Sequence, residues 1–253
     1  AEIFTSRQLL GLSTFSDLVQ EARERVISEA LAMGISGDGK NLDGGGNGAT
    51  AYADAIAVYL GLAVSRTTNT INSLAVWSMS REQSVNLFSR QAIPMAWDFP
   101  EVNPFAGAAG DFGATTASVA NTISNASDRI AWISQADAQT QNVSKEKVIS
   151  TDPPYYDNVC YADLSDFFYI WLRRSLRSVF PELFATLAVP KATELVASAS
   201  RHGSKLKAEE FFLEGMTQAM NRLAKQTHPA FPVTIYYAFK QSERDDTDGT
   251  AST

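Results

Sequence analysis

Cysteine and histidine are scarce in this chain of 253 residues, which contains one cysteine, Cys160, and two histidines. A single cysteine excludes an intramolecular disulfide and a cysteine-cluster zinc site within the chain. The histidines, His202 and His228, lie in polar stretches without companion ligands, which is typical of surface or capping roles. The sequence therefore predicts no metal site.

Long apolar runs are also missing. No uninterrupted apolar stretch approaches the roughly 20 residues that cross a bilayer, and the first residues lack the charged, apolar and cleavage regions of a signal peptide. Hydrophobic residues make up 45% of the chain and charged residues 19%, as in ordinary globular proteins of one or two domains. These features predict a cytoplasmic protein without a membrane partner.

Positive charge is in deficit, because the formal net charge is −7. This deficit argues mildly against a protein that coats nucleic acid, since phosphate contacts depend on lysine and arginine. One segment nevertheless holds seven basic residues against two acidic ones: Arg173, Arg174, Arg177, Lys191, Arg201, Lys205 and Lys207. This basic segment is either a solvated surface or a face that contacts phosphate.

The first part of the chain has the periodicity of helices. Apolar residues recur at three- and four-residue spacing over residues 15–30, which predicts an amphipathic helix that ends near Gly34. Further helices are predicted for residues 49–70 and 80–91. We interpret residues 1–128 as a mainly helical region, which serves as a scaffold or as a target-recognition insert.

A glycine-rich stretch, residues 37–48, separates the first two predicted helices. It contains too few apolar side chains to form an element, so it is predicted to be a loop. Its only lysine, Lys40, is followed by Asn41 and not by serine or threonine, which argues against a phosphate-binding loop.

Short runs rich in β-branched and aromatic residues begin after residue 130. Residues 131–137, 147–152 and 232–239 are predicted strands. Helices are predicted between the last two strands, over residues 163–179 and 206–225. Strands separated by helices imply a parallel α/β sheet, which places an α/β domain at residues 129–253.

Two carboxylates, Asp137 and Asp152, lie where predicted strands end, which is the edge at which parallel sheets bind ligands. Asp152 opens the sequence Asp-Pro-Pro-Tyr. Its prolines, Pro153 and Pro154, restrict the backbone and remove two N–H donors, so the loop is a rigid hydrogen-bond acceptor. An exocyclic amino group can donate to the Asp152 carboxylate and the Pro153 carbonyl, and the Tyr155 ring offers a face for a flipped-out base.

This motif resembles the catalytic motif of the methyltransferases that modify amino groups in nucleic acids. A longer stretch, residues 151–174, resembles a narrower group, the large adenine-specific DNA methylases that contain a zinc ribbon. Further segments that fit this group are residues 4–10, 90–99, 103–107 and 190–196.

The resemblance implies S-adenosylmethionine as the cofactor and DNA with a flipped-out adenine as the substrate. It makes Asp152, Pro153, Pro154 and Tyr155 the catalytic loop. It also makes Asp137 a contact of the cofactor adenine, with Asp152 facing the cofactor as well. Methyl transfer from a sulfonium depends mainly on positioning and requires no metal.

Tyr156 and Asn158 follow the motif directly. Both are candidates for contact with the target base, and packing of the loop is the alternative for each.

One part of the expected pattern is missing. Residues 105–110 imitate the glycine turn that binds the methionine part of the cofactor, but residues 98–104 before them make a poor buried strand. We interpret residues 105–110 as a loop that faces the active site or as a structural turn, with the cofactor turn as the alternative. Because residues 242–253 are a polar tail where further strands are expected, the chain is predicted to be a piece of a longer polypeptide with a partial Rossmann-like methyltransferase sheet.

Three functions remain open at this point. The first is methylation of adenine N6 in DNA. The second is methylation of RNA or of a glutamine side chain, since the same acceptor geometry serves any planar amine or amide nitrogen. The third is a catalytically incomplete fragment or module that binds nucleic acid or a partner protein without turnover.

Overall fold

A computed structural model describes residues 3–88, 92–124, 131–157 and 159–237, which form six helices and two small sheets. The helices are α1 (Ser6–Ala32), α2 (Ala49–Thr68), α3 (Phe112–Ser124), α4 (Tyr161–Leu176), α5 (Ala199–His202) and α6 (Lys205–Gln226). The strands are β1 (Val76–Ser78), β2 (Gln83–Val85), β3 (Ser150–Thr151) and β4 (Thr234–Ile235). The predicted α/β class is confirmed, and its finer form, a methyltransferase sheet, stays a prediction. None of the helices in the described ranges is long and apolar enough to span a membrane.

The chain divides into two compact units. The first unit comprises Ala1–Ala131 and Tyr161–Lys191, and the second comprises Trp132–Cys160 and Ala192–Thr253. The units are interleaved along the chain, so α4 belongs to the first unit, whereas the sequence predicts one boundary after residue 128.

The first unit is built on contacts between helices. Its first core cluster joins side chains of α1, of α2, of the last residue of α4 and of the segment after it: Phe15, Val19, Ala57, Val64, Leu176, Val179 and Phe184. Gly61 of α2 faces Leu176 so closely that an added Cβ would lie 2.9 Å from the Leu176 Cγ. The glycine therefore permits α2 and α4 to approach each other.

A second core cluster of the same unit is aromatic. The Phe4 ring stacks on Phe167 at 5.6 Å and meets Trp171 edge-on at 5.3 Å. Leu12, Ile71 and Leu87 complete the cluster. Aromatic pairs in these geometries contribute beyond the area that they bury, so the start of α1 is held firmly against α4.

A buried carboxylate, Asp54 of α2, connects α1 with the glycine-rich loop. It is fully buried, accepts from the Arg23 Nε at 2.6 Å and also accepts from the Leu42 N–H at 2.9 Å. Both carboxylate oxygens are therefore paired. Such pairing is what permits a charge to be buried at this position.

The predicted helix at residues 80–91 is wrong. The structure has a hairpin here, in which β1 and β2 pair antiparallel with Trp77 opposite Ser84. Polar side chains outnumber apolar ones in this stretch, so no apolar face holds a helix in place. Residues 89–91 lie outside the described residues.

The second unit contains the parallel pair of strands. β3 pairs with β4 in the register Ser150 to Thr234 and Thr151 to Ile235. Both strands are shorter than the predicted runs at residues 147–152 and 232–239, of which 238 and 239 lie outside the described residues. The helices predicted at residues 163–179 and 206–225 are confirmed as α4 and α6.

The predicted strand at residues 131–137 is also wrong. This stretch has no regular structure, and Trp132 and Ile133 are 93% and 97% exposed. An apolar run becomes a strand only when a neighbouring strand accepts its backbone hydrogen bonds. No described strand pairs with this run.

We predict that Asp54→Ala destabilises the protein by about 3 kcal/mol, because it leaves the Arg23 guanidinium and the Leu42 N–H without their buried acceptor. Urea unfolding measures the change. Arg25→Gln is the matched control, because Arg25 lies on α1, as Arg23 does, and forms an exposed ion pair with Glu29. Loss of this exposed pair should change stability far less. Equal effects of the two variants would contradict a structural role for Asp54.

Candidate active site

The Asp-Pro-Pro-Tyr loop begins where β3 ends. Asp152 directly follows Thr151, whose carbonyl accepts from the Tyr236 N–H at 2.8 Å. Tyr236 and Tyr237 in turn directly follow β4. Because the carboxyl ends of parallel strands share one edge, the motif and this tyrosine pair lie at the same edge of the small sheet.

Asp152 presents its carboxylate to solvent. One of its oxygens, Oδ1, accepts a hydrogen bond of 2.5 Å from the Tyr155 hydroxyl. The other, Oδ2, accepts from no donor among the described residues. A hydroxyl bonded to a carboxylate forms one of the stronger hydrogen bonds of proteins, so Tyr155 orients Asp152 while leaving one oxygen open.

Two rings define the wall beside this carboxylate. The Tyr155 ring meets the Tyr237 ring edge-on, with centroids 5.5 Å apart and an interplanar angle of 81°. Tyr155 is half-buried, whereas 44% of Tyr237 is exposed. The edge-on contact with Tyr237 fixes the tilt of the Tyr155 ring.

Tyr156 anchors the loop to α6. Its hydroxyl donates to Glu209 Oε1 at 2.8 Å, and its ring meets Phe212 edge-on at 5.3 Å. Its carbonyl accepts from the Ala197 N–H at 3.0 Å. These contacts favour packing of the loop as the role of Tyr156, and contact with a substrate stays a prediction.

The backbone of Tyr156 lies in the left-handed region, with φ of 50°. A bulky residue adopts this conformation only when surrounding contacts compensate its cost. Burial, followed by the hydrogen bond to Glu209, raises the pKa of the Tyr156 hydroxyl to about 12. The hydroxyl is therefore a neutral donor at ordinary pH.

Asp137 lies in a turn and not at the end of a strand. Its carboxylate is exposed and accepts from the Gln139 N–H at 2.8 Å, and its carbonyl accepts from the Thr140 and Gln141 N–H groups. An aspartate that bonds the backbone two residues onward is typical of a turn. A contact between Asp137 and the cofactor adenine stays a prediction.

The remaining predicted site residue, Asn158, lies outside the described residues. Within the described ranges, histidine, cysteine, aspartate and glutamate form no group of three or more that could hold a metal ion.

The glycine turn at residues 105–110 belongs to the first unit, whereas Asp152 belongs to the second. It leads into α3, where the Asp111 carboxylate accepts from the backbone N–H groups of Ala114 and Gly107. These backbone hydrogen bonds, the one from Ala114 above all, lower the pKa of Asp111. The turn therefore has a clear structural role as the entry to a helix, and its alternative role in binding the cofactor stays a prediction.

Most of the basic segment is engaged within the protein. Arg174 makes a bidentate pair with Asp17 that lowers the pKa of that carboxyl, and Arg173 donates to backbone carbonyls. Lys191 pairs with Asp166, and Arg201 pairs with Glu194. Among the described residues, no carboxylate pairs with the three remaining cations, Arg177, Lys205 and Lys207.

The sequence does not predict that three residues belong to this site: Glu209, Phe212 and Tyr237. Glu209 and Phe212 occupy neighbouring turns of α6, and nothing in their spacing names Tyr156 as their partner. The aromatic pair at residues 236–237 is the available signal for Tyr237, because it lies in the predicted strand 232–239, parallel to the strand before Asp152.

We predict that Tyr156→Phe changes how stability depends on alkaline pH. The folded protein raises the pKa of Tyr156 from 10 to about 12, so the stability that it contributes is present below pH 10 and is lost as the pH rises towards 12. Urea unfolding at several pH values should show a shallower alkaline decline in the variant. Glu209→Gln should keep part of the decline, because burial is the largest single cause and remains in that variant. A variant with an unchanged decline would contradict the assignment to Tyr156.

Comparison of the chain with protein-family models, curated proteins and solved structures gives no match. The chemistry that the site supports therefore rests on the geometry of its residues.

Proposed function

We propose that this chain carries the methyl-transfer loop of an S-adenosylmethionine-dependent methyltransferase that acts on the exocyclic amino group of adenine in DNA. One observation carries the proposal: Asp152 leaves a parallel strand with an exposed carboxylate, of which Tyr155 holds one oxygen and no described donor occupies the other. Pro153 and Pro154 follow it directly. This arrangement presents a rigid acceptor surface at the edge where parallel sheets bind ligands.

The acceptors match the two donors of an amino group. The open Asp152 oxygen takes one N–H, and the Pro153 carbonyl, to which no described residue donates, takes the other. Both hydrogen bonds hold the nitrogen with its lone pair directed away from the loop. Asp152 is also the base nearest to the proton that the nitrogen releases when it gains a carbon substituent.

The cofactor supplies an electrophilic methyl group on a sulfonium that is already a good leaving group. The exposed Asp137 carboxylate suits the amino group of the cofactor adenine, because only one donor, the Gln139 N–H, bonds it among the described residues. The loop itself supplies orientation, and orientation accounts for a large part of such a rate enhancement.

The Tyr155 ring supports a planar substrate. Its hydroxyl is fixed on Asp152 and its edge contact with Tyr237 fixes the tilt of the ring, so the stacking face is preorganised. A base that has left the duplex gains about 1–3 kcal/mol from such a platform.

Two lysines of the second unit favour nucleic acid as the substrate. Lys205 and Lys207 occupy the first turn of α6, and no acidic residue accompanies them there. Cations in this position are unfavourable for the helix dipole, so helix stability does not explain them. A contact with a DNA phosphate explains them, because the phosphate compensates the positive charge of the lysines.

Methyl transfer to duplex DNA, RNA and a glutamine peptide separates the substrate classes. Labelled methyl groups should appear in duplex DNA, and transfer to RNA or to the peptide alone would replace DNA as the substrate. Calorimetry with S-adenosylmethionine separates an enzyme from a module that binds nucleic acid without turnover. Failure to bind the cofactor would favour the module.

We predict that Asp152→Ala lowers the rate of methyl transfer to DNA about a hundredfold or more, because it removes a preorganised acceptor worth on the order of 3 kcal/mol. The affinity for S-adenosylmethionine should change much less. Tyr155→Ala should weaken DNA capture by roughly 1–3 kcal/mol, whereas Tyr155→Phe keeps the ring and should be mild. Transfer of a radiolabelled methyl group measures the rates.

The matched control is Asp157→Ala, which removes an exposed carboxylate from the same loop. Its rate should stay near that of the parent chain. A folded Asp152→Ala variant with near-normal turnover would show that this loop is not the site of methyl transfer.

We predict that the double variant Lys205→Gln/Lys207→Gln flattens the dependence of DNA affinity on salt. Each phosphate contact contributes about 0.9 to the slope of log K against log salt concentration, so the loss should be about two units. Fluorescence anisotropy at several salt concentrations measures the slope. Lys225→Gln, about 27 Å along α6 from Lys207, is the control. Equal slopes for the parent chain and the double variant would show that both lysines are solvated and contact no phosphate.

A further inference from the structure

A cavity of about 480 Å³ lies in the first unit, between the end of α2, the β1–β2 hairpin and the start of α3. Cavities of this size hold small molecules such as a mononucleotide. The proposed methyltransferase loop belongs to the second unit, so it does not account for this cavity.

The charge of the cavity has one sign. Among the described residues that line it, Arg66 and Arg81 are the only charged ones, and neither pairs with a described carboxylate. Arg66 Nη1 bonds the Ser118 hydroxyl at 3.0 Å, which leaves further guanidinium donors for a ligand. Two guanidinium groups without a counter-charge among the described residues, in a chain of net charge −7, indicate an anionic ligand.

A buried hydroxyl gives an independent indication of a ligand. Ser84 of β2 lines the same cavity, is 5% exposed, and its Oγ has no hydrogen-bond partner in the described part of the chain. A buried hydroxyl without a partner is costly, and native proteins retain few of them. A polar ligand in the cavity satisfies this hydroxyl.

The remaining walls fit a ligand larger than a bare ion. The turn at Gly110 lines one side, and an added Cβ there would lie 2.4 Å from Val102 Cγ1 and 3.1 Å from the Thr70 hydroxyl. Glycine therefore keeps this turn close to the end of α2. Phe88 adds an aromatic wall, with its ring held edge-on against Phe167 at 5.3 Å.

We infer that this cavity binds the phosphate group of a nucleotide, with Arg66 and Arg81 on the phosphate oxygens and the Ser84 hydroxyl as a further donor. Guanidinium groups match phosphate oxygens with paired hydrogen bonds. The nucleotide is either free or part of a nucleic-acid strand. This assignment is independent of the proposed methyl transfer.

Calorimetry with adenosine 5′-monophosphate, adenosine and inorganic phosphate tests the assignment on the full chain. The monophosphate should bind with a stoichiometry of one, and adenosine should bind at least about tenfold more weakly, because it lacks the charged group. Arg66→Gln and Arg81→Gln should each weaken binding of the monophosphate about tenfold. Arg25→Gln, which removes an exposed guanidinium on α1, should bind as the parent chain does.

Ser84→Ala separates a ligand contact from a structural role. It should weaken binding of the monophosphate severalfold while the melting temperature of the free protein stays equal or rises, because the hydroxyl has no partner there to lose. Displacement of the monophosphate by a single-stranded oligonucleotide without terminal phosphates identifies a nucleic-acid strand as the source of the phosphate, and failure of displacement identifies a free nucleotide. Equal affinity for adenosine and its monophosphate, or unchanged binding in the double variant Arg66→Gln/Arg81→Gln, would overturn the assignment.

Discussion

The parallel pairing of β3 with β4 is the constraint on which the Asp152 loop depends. Each strand has only two residues, and the pairing is extended by the bridge between Lys147 and Thr227 and by hydrogen bonds on both sides of it. Pro153 has no N–H with which to continue the ladder, so the chain leaves the sheet immediately after Asp152. The sheet thus sets the position of the carboxylate, and the prolines set the direction of the loop.

The sequence predicts four helices and the positions of β3 and β4, but it does not predict α3 or the β1–β2 hairpin. Helices α1, α2, α4 and α6 are found where the sequence places them, because an apolar face that recurs over many residues is a strong signal for a helix. The β1–β2 hairpin and the irregular stretch at residues 131–137 are not foreseen. A strand of two or three residues depends on its partner across the chain, and no local pattern names that partner.

The candidate site divides in the same way. The motif itself, at the end of a parallel strand, is visible in the sequence, because proline and aspartate act on their own backbone. The hydrogen bond from Tyr155 to Asp152 and the anchor of Tyr156 on Glu209 are tertiary contacts, and residue types alone do not reveal them. At Asp137 the local structure differs from the prediction, because the side chain stabilises a turn where a strand end is predicted.

Ion pairs within this acidic protein reduce the positive charge that it presents to an anionic ligand such as DNA. Arg174, Lys191 and Arg201 have carboxylate partners within the protein, so their charge is largely compensated before any ligand arrives. A count of basic residues along the chain therefore overstates the charge that phosphates meet. With a net charge of −7, long-range attraction to DNA is weak, so the proposed methyl transfer requires binding through a few local contacts and through capture of the base. The Asp152 carboxylate and the Tyr155 ring are already oriented, which suits the proposed function because little ordering cost would remain on binding a base.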